Sequence, residues 1–276
     1  MKRTQSFQHG PVQGVGFGYF PFRAPKLMVH AYFVDGLLID TGQRRMAKEV
    51  QAAVGELPVE QMLITHHHED HTGNLRALRQ HFNAPVYASE RCLQLMEKPP
   101  ALSLVQKILF LDRPAARGLT PLEGTLETER YRFQVIPIPG HAPDMIALYE
   151  PQQGWLFSAD LYVLKRPRYM LREESVAQQI RSMERVLSLD FDQMFCAHNP
   201  QLKEGKTKLS AKLQVLKELS AEVIALHEQG YSLRGIRNTL TVKEHWGVRL
   251  LSGGLLSAHN IIASIVRDHQ VSNSAV

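Results

Sequence analysis

Thirteen histidines lie among the 276 residues, and their arrangement carries the chemistry. The segment Leu63-Ile64-Thr65-His66-His67-His68-Glu69-Asp70-His71-Thr72-Gly73-Asn74 follows an apolar run and precedes a helical pattern. If extended backbone continues briefly past Thr65, His66 and His68 point the same way, because strand residues two apart share a face. Asp70 and His71 then fall at the turn into the helix and can swing to a second position beside the first. Imidazoles mixed with carboxylates suit zinc, iron or manganese, and no thiolate joins them. The bland alternative is a solvated polyhistidine loop. Rings packed this tightly would repel one another once protonated, unless a cation keeps them neutral.

Three later positions extend the set. Pro139-Gly140-His141, Phe157-Ser158-Ala159-Asp160 and Phe195-Cys196-Ala197-His198 each close a strand-like run. A lone strand-end histidine is ordinarily a surface residue. Three such positions in order, after an H-x-H-x-D-H core, point instead to one sheet edge that gathers them all.

The elements that must position these groups are legible from periodicity. Lys26 to Val34 and Leu37 to Thr41 read as strands joined by a tight Asp35-Gly36 turn, a strong hairpin signal. Strands are also predicted over Val59–Thr65, Pro85–Ala88, Tyr131–Val135, Met145–Tyr149, Trp155–Ser158 and Gln193–Ala197. Helices are predicted over Arg44–Val54, over Gly73–Phe82, and where Val176, Ile180, Met183 and Leu187 recur at helical spacing. Strands mixed with helices and hairpins favour sheets covered by helices over a doubly wound parallel sheet. The texture changes near residue 205. Beyond it, Leu213, Leu216, Val223 and Leu226 share a helical face, Gly230 can stop that helix, Ser232 can cap the next, and a last helix is expected over Ser252–Asp268. Residues 1–205 are therefore expected as a catalytic domain and 206–276 as a helical extension, with Pro99–Gly124 a loop or lid.

Composition excludes several classes. Hydrophobic content of 44% with a net charge of +5 is that of a globular chain, and a chain this long can bury a large core. Two cysteines make no disulfide framework and suit a reducing compartment. No run approaches the ~20 apolar residues of a membrane helix, and Met1–Phe20 lacks the apolar stretch of a secretory signal. The expectation is a cytoplasmic protein without a membrane span. Oligomeric state is not legible.

With the ligand-bearing segments assembled, the sequence resembles the metallo-β-lactamase-fold hydrolases. Five landmarks of that family stand in order: Asp40 in Leu38-Ile39-Asp40-Thr41-Gly42, the H-x-H-x-D-H cluster, His141, Asp160 and His198. The resemblance covers about residues 12–205 and implies an α/β (α+β) fold, an αββα sandwich with a two-metal site at one edge. It implies that His66, His68 and His141 hold one divalent ion and Asp70, His71 and His198 the other, with Asp160 bridging and Asp40 supporting. Zinc is the first expectation for both ions, iron or manganese the alternatives. Departures are Ala197 and Asn199 around His198, where glycine is usual, and Ala142-Pro143-Asp144 after His141, where Thr-Pro-Gly is common; none removes a ligand. An aspartate at 160 separates the chain from the secreted antibiotic-destroying enzymes, which carry cysteine there. His68 separates it from flavodiiron proteins, which carry glutamate. What remains resembles glyoxalase II-like thioesterases and lactonases, whose metal-bridging hydroxide would attack a small ester or thioester, with Asp70 as the catalytic carboxylate. The alternatives are a phosphodiesterase or nuclease of the same fold and, in another class, a metal-containing sensor or DNA-binding regulator.

Other signals weigh less. Gly14, Gly16 and Gly18 do not match a phosphate-binding spacing and read as a flexible strand edge. Cys196 reads as a buried inert thiol, His67 as solvated, and His30 as a strand residue that could reach the groove mouth. The segment Tyr162–Tyr169 follows Asp160 directly and carries Lys165, Arg166 and Arg168 with no intervening acid. Arg166, Arg168 and Tyr169 are therefore candidate substrate-binding residues for an anionic group on a small molecule. The stretch from Gly230 to Arg237 faintly resembles a helix-turn-helix, but covering the groove is favoured over nucleic-acid binding.

Overall fold

The structure, a computed structural model, describes residues 1–20, 28–111 and 114–274. In chain order the first half holds β1 (Lys2–His9), β2 (Val12–Tyr19), β3 (Val29–Val34), β4 (Leu37–Ile39), α1 (Ala47–Val54), β5 (Gln61–Leu63), α2 (Glu69–Thr72), α3 (Leu75–Phe82), β6 (Val86–Ala88), α4 (Glu90–Glu97), α5 (Leu104–Phe110) and β7 (Thr120–Pro121). The second half holds β8 (Thr125–Glu127), β9 (Arg132–Pro137), β10 (Ile146–Glu150), β11 (Trp155–Ala159), β12 (Met170–Leu171), α6 (Val176–Leu187), β13 (Gln193–Cys196), α7 (Gly205–Glu228), α8 (Leu233–Thr239), α9 (Trp246–Leu251), β14 (Leu256–Ser257) and α10 (Ala258–Ser274). A short 3-10 turn, Arg44–Met46, leads into α1.

Strands β1 to β7 form one sheet in sequence order, antiparallel as far as β4 and parallel beyond it. A second sheet runs β13-β11-β10-β9-β8, antiparallel except for the β11–β13 pair. Alternation along each strand sorts side chains into layers. Tyr32, Val34, Leu37, Ile39, Phe133, Ile146, Leu148, Phe157 and Phe195 meet between the sheets. Val29, Ala31 and Leu38 face the opposite way, onto Met46, Val50, Leu75, Leu78 and Cys92. Ala147, Leu156, Met194 and Cys196 turn outward onto Met183, Val186, Leu209, Leu216, Ile261 and Ile265. The result is the αββα sandwich.

Most predicted elements are present, with ends shortened, shifted or extended by one or two residues. The Asp35-Gly36 turn has both residues at positive φ (48° and 79°) and pairs Val34 with Leu37, as a two-residue hairpin requires. The predicted strand from Lys26 begins outside the described residues; its described part is β3. Ser232 caps α8 by accepting from the Gly235 N–H. Two readings need correction. Gly14 and Gly16 of β2 lie inside the sheet, paired on both sides, and they make room for rings: a Cβ at Gly14 would sit 2.4 Å from the Phe7 ring, and one at Gly16 2.7 Å from His30 Nε2. The helix expected over Ser252–Asp268 starts later, at Ala258, because residues 252–257 form a turn and the short strand β14, which pairs with β12. Within Pro99–Gly124 the structure places α5, capped by a reciprocal Ser103–Gln106 box, and β7; residues 112 and 113 lie outside the described part.

Candidate metal centre

Five chain segments leave strand ends at the same edge of the sandwich. Asp40 follows β4 in a left-handed conformation (φ 61°), which aspartate tolerates. Thr65 to His68 follow β5, and α2 starts at once, lifting Asp70 and His71 over the edge. His141 lies between β9 and β10, Asp160 directly follows β11, and His198 is the second residue after β13. Gly140, at φ 136°, lets the His141 segment lie against α6; a Cβ there would come within 2.5 Å of the Gln179 backbone nitrogen.

Two groups of donors result. His66 Nε2 and His141 Nε2 lie 3.1 and 3.0 Å from His68 Nδ1. Beside this trio, Asp160 sends Oδ1 to within 3.3 Å of His71 Nε2, and Oδ2 to within 3.1 Å of His198 Nε2 and 3.3 Å of His141 Nε2. Asp70 reaches His198 Nε2 at 3.3 Å and His71 Nε2 at 3.8 Å. Three sets therefore have ligand atoms close enough to share an ion: His66–His68–His141, His66–His71–Asp160 and Asp70–His71–His198.

The outer nitrogens are held in turn. His71 Nδ1 is 2.7 Å from Asp40 Oδ2, His141 Nδ1 3.1 Å from Glu174 Oε2, and His198 Nδ1 2.7 Å from the Met28 carbonyl. Each contact assigns one ring proton to Nδ1 and turns Nε2 inward, where it carries a second proton or, once that is lost, offers its lone pair to a metal. Thr65 Oγ1 donates to Asp40 at 2.8 Å, so at 3.1 Å it accepts from His66 Nδ1 and exposes His66 Nε2 in the same way. Asp40 also accepts from the Thr65 N–H at 2.9 Å, tying β4 to β5 beneath the cluster.

The lone pairs then need a cation. His66 Nε2 points at His68 Nδ1 without a fixed proton between them. Among the described residues, the buried atoms His71 Nε2 and Asp160 Oδ1 have no well-directed hydrogen-bond partner. Divalent ions bound by nitrogen and carboxylate oxygen satisfy both. The electrostatics agree. Burial, reinforced by neighbouring imidazoles, pushes His66 and His68 far below the ordinary histidine range. Burial acts the same way on His71 and His198, but the carboxylates outweigh it: Asp160, Asp40 and Asp70 hold His71 high, and Asp160 and Asp70 hold His198 high. His141 is raised to about 10, because Glu174 and Asp160 overcome its burial. Asp70 and Asp160 stay well below the usual carboxylate range despite burial, because His71 and His198 face both.

A groove of about 1000 Å³ opens over the cluster. Arg168 and Tyr169 line it, whereas Arg166 is exposed and outside the lining. Leu255 and Leu256, at β14, and Val271, on α10, form part of its wall. His67 is not solvated: its N–H and its Nδ1 each lie 2.8 Å from the carboxylate of the buried Asp144. His30 does not reach the groove mouth; its Nδ1 is 2.7 Å from the Ala197 carbonyl, which ties β3 to the segment bearing His198. Cys196 is buried on the outer face of its sheet, away from the cluster. Glu174 and Asp144 carried no signal in the sequence beyond lying near His141 or in the loop before α6. Lys212, buried on α7 and lowered by that burial to about 8, carried none.

Comparison with known proteins gives a consistent answer. The family model described as the metallo-beta-lactamase superfamily matches residues 24–198. A hydroxyacylglutathione hydrolase of Nitrosomonas eutropha is 33% identical over 166 residues, 59% of this chain and 56% of that protein. Another, from Albidiferax ferrireducens, is 28% identical over 201 residues and 70% of each chain. The chain spans about half the length of the first relatives it matches. A metallo-beta-lactamase family protein from Thermus thermophilus shares the fold, with a TM-score of 0.63 at 21% identity over 78% of this chain and 82% of that one.

Proposed function

This chain belongs to the metallo-beta-lactamase superfamily, and we propose that it is a binuclear metal-dependent hydrolase of a small ester or thioester. The observation that carries the proposal is the pair of donor groups meeting at Asp160 on the floor of an open groove. Thioesters are the first substrate class because relatives named as hydroxyacylglutathione hydrolases align with the chain.

In this reading His66, His68 and His141 hold one divalent cation, Asp70, His71 and His198 the second, and Asp160 stands between them. Zinc fits the imidazole-rich set best. When bound, the two cations lower the pKa of a shared water and polarise the substrate's carbonyl oxygen. Everything else is done by the chain. Asp40 and Glu174 keep the His71 and His141 rings turned so that Nε2 faces inward. Asp70 lines the groove and is held ionised by His71 and His198, so its carboxylate can accept a hydrogen bond that orients the nucleophile and guides a proton toward the leaving group. Arg168 and Tyr169, on the groove wall, contact an anionic part of the substrate. Residues 206–276 act as a helical extension that walls the groove. The buried Cys92 and Cys196 suit a reducing compartment, so a cytoplasmic location is part of this reading.

Purified protein, assayed for metal content, is tested against thioesters, lactones and phosphodiesters. Turnover of a thioester or carboxylic ester that is lost with a chelator and restored by zinc is expected. Turnover of phosphodiesters alone, or absence of bound transition metal after reloading, overturns the proposal.

A further inference from the structure

Lys212 is a charged residue where the fold has room for an apolar one. It lies on α7 between Leu209 and Leu216, which are fully buried in the layer outside the second sheet, and is itself only 5% exposed. An ammonium in such a place loses its hydration and must find replacement partners. Its Nζ donates to the carbonyls of Leu161 at 2.7 Å and Tyr162 at 3.0 Å, the two residues that follow Asp160.

That turn is held in an unusual conformation. Ala159 and Val163, on either side of it, have φ values of 44° and 32°. Positive φ is uncommon for a residue with a side chain and an outlier for a β-branched one, and it persists only where surrounding contacts over-determine the backbone. Asp160 sits inside the turn, with both oxygens directed at His71, His141 and His198. We propose that Lys212 is a positioning residue for Asp160: its two bonds hold the strained turn in the one conformation that points the carboxylate at three imidazoles.

Helix α10 makes a parallel set of contacts. Ser264 Oγ and Arg267 donate to the Glu174 carbonyl, Asp268 accepts from Ser175 Oγ and the Ala177 N–H, and Glu174 orients His141. All of these helical residues lie beyond the stretch 24–198 that matches the family model. The C-terminal helices thereby belong to the architecture of the metal centre as well as to the groove wall.

The inference rests on the metal-centre reading proposed above. Its test is Lys212→Met in the full chain, which keeps the stem and removes the donors. Zinc affinity is measured by competition with a chelator, cobalt-loaded protein by its visible absorption, and the metal-free protein by its melting temperature. Expected are at least tenfold weaker binding of one equivalent of zinc, an altered cobalt spectrum, and a kcat that falls while KM holds. Adding Val163→Gly, which relieves the strain at φ 32°, should recover part of the affinity. Wild-type zinc affinity and cobalt spectrum in Lys212→Met, with or without a lower melting temperature, make Lys212 a residue of folding alone and overturn the proposal. If Lys212→Met does not fold, Lys212→Arg, which keeps the charge but shifts the donors, is read by the same criteria. A wild-type chain that binds no zinc would instead defeat the metal-centre reading itself.

Discussion

Replacing Asp40 with asparagine removes one charge and almost no volume, and its consequence can be followed atom by atom. The carboxylate accepts three hydrogen bonds: Thr65 N–H to Oδ1 at 2.9 Å, and Thr65 Oγ1 at 2.8 Å and His71 Nδ1 at 2.7 Å to Oδ2. The Thr65 amide can only donate, so the asparagine oxygen must remain there and its NH2 group must occupy the Oδ2 position. The threonine hydroxyl can turn to accept. His71 Nδ1 can accept only by moving its proton to Nε2, the atom that faces Asp160 and Asp70. The ring then presents N–H where a metal needs a lone pair. The backbone is not disturbed, because asparagine also tolerates the φ of 61° at this position. Loss of such an orienting partner typically costs about 10–100-fold in metal affinity, or about 1.4–2.7 kcal/mol. Chelator competition should show that loss for one of two zinc equivalents, with the other within about threefold of wild type. Two equivalents bound with wild-type affinity would mean that Asp40 does not set the tautomer, and the reasoning would fail.

Four further outcomes are expected. Without metal, His71, His141 and His198 are held protonated at neutral pH, so zinc loading should release about three protons per chain and tighten steeply as pH rises; calorimetry in buffers of different ionisation enthalpy checks this, and release of fewer than about one proton contradicts it. The same shifts set the stability of the metal-free chain: raised histidines contribute fully below their unfolded value near 6.5, and that contribution fades as pH climbs, through about 10 for His141, which melting curves from pH 6 to 10 would record. Arg168→Ala should raise KM for an anionic substrate about tenfold with kcat nearly unchanged, whereas Arg166→Ala should change neither, because only Arg168 lines the groove; equal effects would remove the groove wall as the reason. Gly16→Ala would set a Cβ 2.7 Å from His30 Nε2, a ring fixed by the Ala197 carbonyl, and should destabilise the fold by about 1–3 kcal/mol in urea unfolding, an unchanged midpoint arguing that the ring is free to move.

Features that depend on near neighbours along the chain could be read from the residues directly. The Asp35-Gly36 hairpin, the Ser232 cap and the apolar stripe of α6 are local matters of backbone preference and period, so the residues announce them. The groups that converge on the centre were legible for a related reason: a residue at the end of a buried strand has little choice of place, and five such ends must share an edge once the sheets form. The first hairpin was not legible. β1 is polar and exposed along most of its length and becomes a strand only because β2 pairs with it from Lys2↔Tyr19 to His9↔Val12. Nor could spacing disclose the groups that orient the ligands. Glu174 meets His141 across 33 residues, Asp144 meets His67 across 77, Lys212 meets Tyr162 across 50, and His30 meets Ala197 across 167. Each is a common residue in an unremarked place until folding brings its partner within 3.1 Å. Periodicity reports which face a side chain takes. Only the packing of two sheets and the helices over them decides what waits on that face, because hydrogen bonds act over ångströms and the chain carries no record of distances it has not yet closed.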